Sequence, residues 1–160
     1  MTGWVNVAGK VMRGHGVASG QGGNPRFPGG TIRMQQAAFA AQGLMLGSYF
    51  PGTINISIHP HRYVVRQAKH TFRQVKWVAD APAEDFSFFD CRVVLKTGQR
   101  VNGLIYYPHP ETKPEHFQDP ATLEVLTEFI GGLSYGMGIE LELQSSQLLV
   151  VANQNETPLE

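Results

Sequence analysis

A mostly β chain with minor α content, folded as a small closed or half-closed barrel with two helices, is what this sequence predicts. Three observations point that way. Eighteen glycines and ten prolines form no repeat. They gather at residues 14–30, 51–52, 108–114 and 131–138, a pattern that fits short strands joined by tight turns. Several of the pieces between them alternate apolar and polar residues with strand period. Strands and helices do not alternate along the chain, which argues against a parallel doubly wound sheet.

The elements follow in order. WVNVAGKVM (4–12) alternates weakly and reads as a first strand. Residues 13–30 are too glycine-rich for a regular element, and a loop of that length is as a rule functional or disordered. TIRMQQAAFAAQGL (31–44) predicts a helix capped by Thr31 and stopped by Gly43. TINISI (53–58) is a strand fed by a Pro-Gly turn, and HRYVVR (61–66) and TFRQVKWVA (71–79) are further strands. Residues 80–90, polar then aromatic, read as a loop. CRVVLKTGQRVNGLIYYP (91–108) predicts a hairpin turning at Thr97 and Gly98. HPETKPEHFQ (109–118) is a polar loop pinned by prolines.

DPATLEVLTEFIGG (119–132) carries the strongest local signal in the chain. Asp119 suits an N-cap, Pro120 the first helical position, and Gly131 with Gly132 a stop. Leu123, Leu126, Phe129 and Ile130 share one helical face, so a second helix is expected. IELELQSSQLLVVA (139–152) closes the chain with two strands. One barrel domain over residues 1–152 and a frayed tail over 153–160 are the expected organisation.

Composition narrows the function classes. In 160 residues, 42% are hydrophobic, which suffices for an ordinary core, and the formal net charge is zero. Nothing therefore suggests a polyanion-binding surface, and nucleic acid is not an expected partner. A small anionic ligand stays open, because a local site needs no basic protein. Cys91 is the one cysteine, so there is no intrachain disulfide framework; at the head of an apolar run it reads as a core residue. No apolar run reaches membrane-spanning length and the N-terminus lacks signal-peptide layout, so cytoplasm is expected.

The chemistry centres on FPGTINISI, residues 50–58. Thr53 and Asn55 are two apart on a strand, so they share a face. A hydroxyl and an amide carbonyl are neutral oxygen ligands, and such a pair can hold Mg²⁺ while nucleotide phosphates supply the remaining ligands. The plain alternative is a strand start with an Asn bonding a turn. SGQGGN (19–24) can turn several backbone N–H groups inward around phosphates. It contains no Gly-Lys-Ser/Thr and is not a dinucleotide fingerprint. His59 and His61 can chelate from one strand face, and His109 and His116 flank Glu111 and Glu115; a transition-metal site and an exposed polar loop are the alternatives. Glu84 and Asp85 suit acid/base work or a solvated turn. A Ser/His/Asp arrangement is compatible with the spacing, but there is no nucleophile elbow.

The order of these pieces carries more than any one of them. Gly9-Lys10-Val11 leads to Ser19-Gly20 with a glycine loop and then Phe27. Next come Gly43-Leu44 and FPGTINISI, then AEDFSFF, a Val-x-Gly hairpin into LIYYP, a Thr, a Glu and a β-rich end. Over residues 9–143 this resembles the CTP-dependent riboflavin kinases of archaeal type, whose turn-strand reads Gly-Thr-Leu-Asn. The resemblance implies a six-stranded cradle-loop barrel that transfers the terminal phosphate of a nucleoside triphosphate, CTP in that family, to a flavin or similar small alcohol with Mg²⁺. It implies Thr53 and Asn55 as metal ligands. It implies nucleotide binding by Gly20, Gln21, Gly22, Gly23 and Asn24 with Arg26 as an added positive group. It implies flavin contacts from Thr112 and from Glu124, which would orient or deprotonate the hydroxyl, with Tyr106, Tyr107 or Phe117 stacking the ring. Where the family carries a basic nucleotide segment, residues 129–132 read FIGG. That favours the alternative of a non-catalytic flavin- or nucleotide-binding module on the same barrel; a histidine-based metal enzyme is the third reading.

Overall fold

The computed structural model describes residues 3–12, 31–79, 81–112 and 119–152. Nine strands and one α-helix occur among them: β1 (Trp4–Met12), α1 (Thr31–Ala40), β2 (Ile54–Ser57), β3 (His61–Val65), β4 (His70–Val75), β5 (Glu84–Val94), β6 (Arg100–Pro108), β7 (Thr122–Thr127), β8 (Gly138–Gln144) and β9 (Leu148–Ala152). The large sheet runs β4-β5-β6-β7-β2-β1-β8, and β8 pairs again with β5. That second pairing closes a six-stranded antiparallel barrel from β5, β6, β7, β2, β1 and β8. Closure is feasible because β5 is long. Its first half pairs with β4 and its second half, Cys91 to Val94, with β8. β3 and β9 form a separate ribbon. No helix among the described residues is long and apolar enough to cross a membrane.

Alternation sorts the side chains into two cores. Val7, Val11, Ile56, Phe89, Cys91, Val93, Ile105, Leu123, Val125 and Leu141 fill the barrel. Cys91 is buried there, and burial raises its thiol far above the usual range, in keeping with a core role. The opposite face of β4, β5 and β6 packs under α1: Ile32 and Phe39 meet Phe72, Phe86, Phe88, Leu104, Tyr106 and Leu126. Phe39 lies edge-on to both Phe86 and Phe88, each 5.1 Å between ring centroids. The helix ends as its glycine predicts. Gly43 adopts φ 98°, and Leu44 N–H returns to the carbonyl of Phe39 at 3.0 Å.

The second predicted helix is absent: Thr122–Thr127 is β7. The Asp-Pro signal makes one turn only, with Asp119 accepting from the N–H of Ala121 and of Thr122. Beyond it, TLEVLT alternates as well as it cycles, and β7 lies between β2 and β6 and bonds to both. Two ladders outweigh a helical tendency in so short a segment. The expected loop over residues 80–90 is also corrected. From Glu84 onward it is strand, and Phe86 to Phe89 are all buried because the barrel covers one face and α1 the other.

Two features outside the candidate site make testable statements. Glu142 on β8 accepts a hydrogen bond from Arg100 Nε at 3.0 Å and is ion-paired with Arg92, whose Nε lies 2.9 Å away, and the Arg92 guanidinium lies 3.9 Å from the centroid of the Trp4 ring. The hydrogen bond from Arg100 exceeds the effect of burial and, with the charges of both arginines, holds the Glu142 carboxyl below its usual value. A carboxyl whose folded pKa is depressed stabilises the fold above its unfolded pKa. That contribution is lost as pH falls through the folded value. The thermal midpoint should therefore drop as pH falls below about 4.3, and Glu142→Gln should flatten that dependence when melting is followed across the acid range.

The second feature is the irregularity between Phe72 and Val75, where β4 slips register against β5. Gln74 sits there at φ 54°, a left-handed conformation that costs an L-residue roughly 1–2 kcal/mol. Its N–H donates to Asp85 Oδ1 at 2.8 Å, so the backbone is held in place. Gln74→Gly keeps that bond and removes the steric cost. A rise in the urea midpoint corresponding to about 1 kcal/mol is expected.

Candidate functional site

β2 begins one residue after Thr53. Ile54, Ile56 and Ile58 point into the barrel, so Thr53 and Asn55 point away from it. On the neighbouring β7, Leu123 and Val125 fill the barrel and Glu124 points outward between them. Asn55 and Glu124 are direct cross-strand partners. The Thr53 hydroxyl donates to Glu124 Oε1 at 3.1 Å. Three residues chosen from the sequence for metal and acceptor binding thus meet on one face, 71 residues apart in the chain for Thr53 and Glu124.

The register extends this group into a row. His70, Phe88, Tyr106, Glu124, Asn55 and Met12 lie side by side across β4, β5, β6, β7, β2 and β1. α1 roofs the aromatic part. The Tyr106 hydroxyl donates to Gln35 Oε1 on the helix at 2.7 Å, with both residues buried. Burial first, and then the charge of Glu124, push the Tyr106 phenol well above its usual range, so it stays a neutral donor. The polar part, Glu124 and Asn55 with Thr53 beside them, is half-buried at the edge of that roof.

Several residues named from the sequence are placed differently from expectation. Tyr106 cannot stack a ligand ring: it is 4% exposed and committed to Gln35. Tyr107 points into the barrel, edge-on to Tyr63 at 6.2 Å and to Phe89 at 6.1 Å. Glu124 lies on strand β7, not on a helix. Thr112 is not joined to Glu124 by any described contact. It braces its own loop, accepting from Asp85 N–H at 2.9 Å and donating to the His109 carbonyl at 3.2 Å. Gly20, Gln21, Gly22, Gly23, Asn24, Arg26, Phe117, Glu115 and His116 lie outside the described residues. So does the 153–160 tail. The segment bearing the glycines leaves β1 after Met12, the cross-strand partner of Asn55.

Gln35 is the site-linked residue that sequence reasoning missed. Its signal was a glutamine one turn before Phe39 on the apolar face of α1, where a buried amide demands a partner. The exposed aromatic surface near the site also differs from expectation. Phe50 and Phe129, at the end of the β2–β7 ladder, have ring centroids 5.7 Å apart, and Phe129 is 72% exposed.

The donor set fits Mg²⁺. A hydroxyl, an amide carbonyl and a carboxylate are hard oxygen ligands, and Thr53, in giving its proton to Glu124, leaves lone pairs free for a cation. The histidines are placed differently. His59 lies before β3 and His61 at its start, both exposed. Among the described residues no group of three His, Cys, Asp or Glu side chains is arranged to hold a metal. No protein-family model matches this chain, and no curated protein matches it.

Proposed function

We propose that this protein is a riboflavin-kinase-like phosphotransferase of the cytoplasm, moving the terminal phosphate of a nucleoside triphosphate to a hydroxyl of a flavin or similar small alcohol with Mg²⁺. The observation that carries this reading is the meeting of Thr53, Asn55 and Glu124 on adjoining strands, with Thr53 Oγ1 and Glu124 Oε1 3.1 Å apart. A purely structural Thr-x-Asn has no need of an outward carboxylate beside it.

Thr53 and Asn55 would hold the ion, whose charge offsets that of the phosphate oxygens when it is bound. Glu124 orients the Thr53 hydroxyl in the free protein and is the base in reach of an acceptor hydroxyl brought to this face. Tyr106 and Gln35 hold β6 against α1, so the row from which Glu124 projects is braced by a buried hydrogen bond. Phe50 and Phe129 offer exposed ring faces for a planar acceptor. By the resemblance, residues 20–24 and Arg26 would bind the triphosphate. Phosphoryl transfer of this kind asks for alignment and charge neutralisation rather than a covalent intermediate.

The test is a phosphotransfer screen pairing riboflavin and other alcohols with CTP, ATP and the remaining nucleoside triphosphates, with and without Mg²⁺. Product formed only with Mg²⁺ is expected. The second reading, a binding module, draws on FIGG at 129–132, which offers no basic side chain. Calorimetry separates the two: tight flavin or nucleotide binding indifferent to Mg²⁺, with no product in the screen, supports the module.

A further inference from the structure

A second polar constellation lies away from the Thr53–Glu124 face and is used by none of the chemistry above. Thr71 on β4 and Ser87 on β5 are cross-strand partners, with hydroxyl oxygens 2.9 Å apart. Ser87 Oγ lies 2.6 Å from His109 Nε2, and His109 Nδ1 lies 3.2 Å from Glu111 Oε1. Hydroxyl, hydroxyl, imidazole and carboxylate thus form one line. With Nδ1–H directed to Glu111, Nε2 accepts from Ser87, and Ser87 accepts from Thr71.

The imidazole is held in this place from several sides. His109 N–H donates to the Asp85 carbonyl at 2.9 Å, and Thr112 ties the following turn to the Asp85 N–H and the His109 carbonyl. The Tyr107 ring packs 5.4 Å from the imidazole. Ser87 is 3% exposed and cannot meet a substrate, whereas Thr71 is exposed. A polar stitch between β4 and the loop needs only one hydroxyl pair. It does not call for an imidazole ordered between a hydroxyl and a carboxylate, the arrangement that raises the nucleophilicity of an alcohol.

We propose that this line is a nucleophilic acyl-transfer site, with Thr71 Oγ1 as the attacking atom and Ser87, His109 and Glu111 as its positioning relay. The substrate class is an uncharged or cationic ester. Glu111, whose carboxylate ends the line, would disfavour an anionic acyl group. Thr71 Oγ1 bonds to the carbonyl carbon. Its proton passes to Ser87 as the Ser87 proton passes to His109 Nε2. The electron pair displaced onto the carbonyl oxygen restores the double bond as the bond to the alkoxy oxygen breaks, and that oxygen takes a proton from solvent water, leaving hydroxide. Hydroxide then attacks the acyl-threonine and releases the acid, and the Thr71 alkoxide recovers its proton from His109 through Ser87.

p-Nitrophenyl acetate, followed by nitrophenol release and by peptide mass spectrometry, tests this. One acetyl group is expected on Thr71. Thr71→Val, close in shape and at an exposed position, should abolish that adduct. His109→Ala should slow acylation about 100-fold, and added imidazole should restore most of the rate, which a merely structural histidine would not allow. Should His109→Ala fail to fold, Ser87→Ala breaks the same relay and should slow Thr71 acylation comparably. Absence of acetyl on Thr71, acetyl on lysines alone, or equal rates in wild type and the relay variants would overturn the proposal.

Discussion

Asn55→Ala should lower Mg²⁺-dependent phosphotransfer by about 100-fold or more while leaving the barrel folded. The asymmetry comes from where the side chain points. Asn55 faces outward beside Glu124, and its backbone bonds to β1 and β7 survive the change. The amide carbonyl is the group lost, and with it a neutral oxygen that no neighbour on β2 can replace, since Ile54 and Ile56 point into the barrel. Kinetics at saturating and limiting Mg²⁺, beside a thermal melt, check both halves. A metal role predicts that raised Mg²⁺ recovers part of the activity. Full activity with an unchanged Mg²⁺ dependence would reject the metal assignment and with it the proposed chemistry.

Gly103→Ala should be among the most destabilising single changes in the molecule, costing about 3 kcal/mol or more. Gly103 lies on β6 where β7 crosses close. A Cβ there would stand 2.6 Å from the Leu126 carbonyl oxygen, 2.8 Å from Thr127 Cγ2 and 3.4 Å from Cys91 Sγ. The nearest of these is main chain inside a ladder, so no rotamer change relieves it. β7 would have to move away from β6, and the ladder that positions Glu124 would move with it. Urea unfolding measures the cost directly. A loss below about 1 kcal/mol would mean that β7 yields to the added methyl group.

Much of the barrel could be read in the chain because its signals are local. Thr53 and Asn55 share a face through strand period alone, and Gly43 stops α1 because only a left-handed residue closes that turn. The 91–108 hairpin turns where Gly98 supplies φ 90°. Misreadings arose where a distant partner decides. TLEVLT suits both a helix and a strand, and nothing within residues 119–132 reveals that β2 and β6 wait on either side. Phe86 to Phe89 showed no alternation because both faces are covered, one by the barrel and one by α1, a property of the assembled molecule. The outward direction of Glu124 follows once TLEVLT is taken as a strand, with Leu123 and Val125 turned inward. Gln35 and the Ser87–His109 line depend on contacts between residues far apart in sequence, 71 and 22 positions respectively. Spacing rules do not reach that far.

The slipped register on β4 bears on how the molecule behaves in a crowded solution. The barrel closes upon itself, so among the described residues β4 ends the large sheet and its outer edge pairs with no other strand. A straight rim would invite a second polypeptide to add on and extend the sheet without limit. The kink at Gln74, flanked by the solvent-exposed cations Arg73 and Lys76, disrupts that template and repels a like rim. A strand added there would have to match an irregular edge.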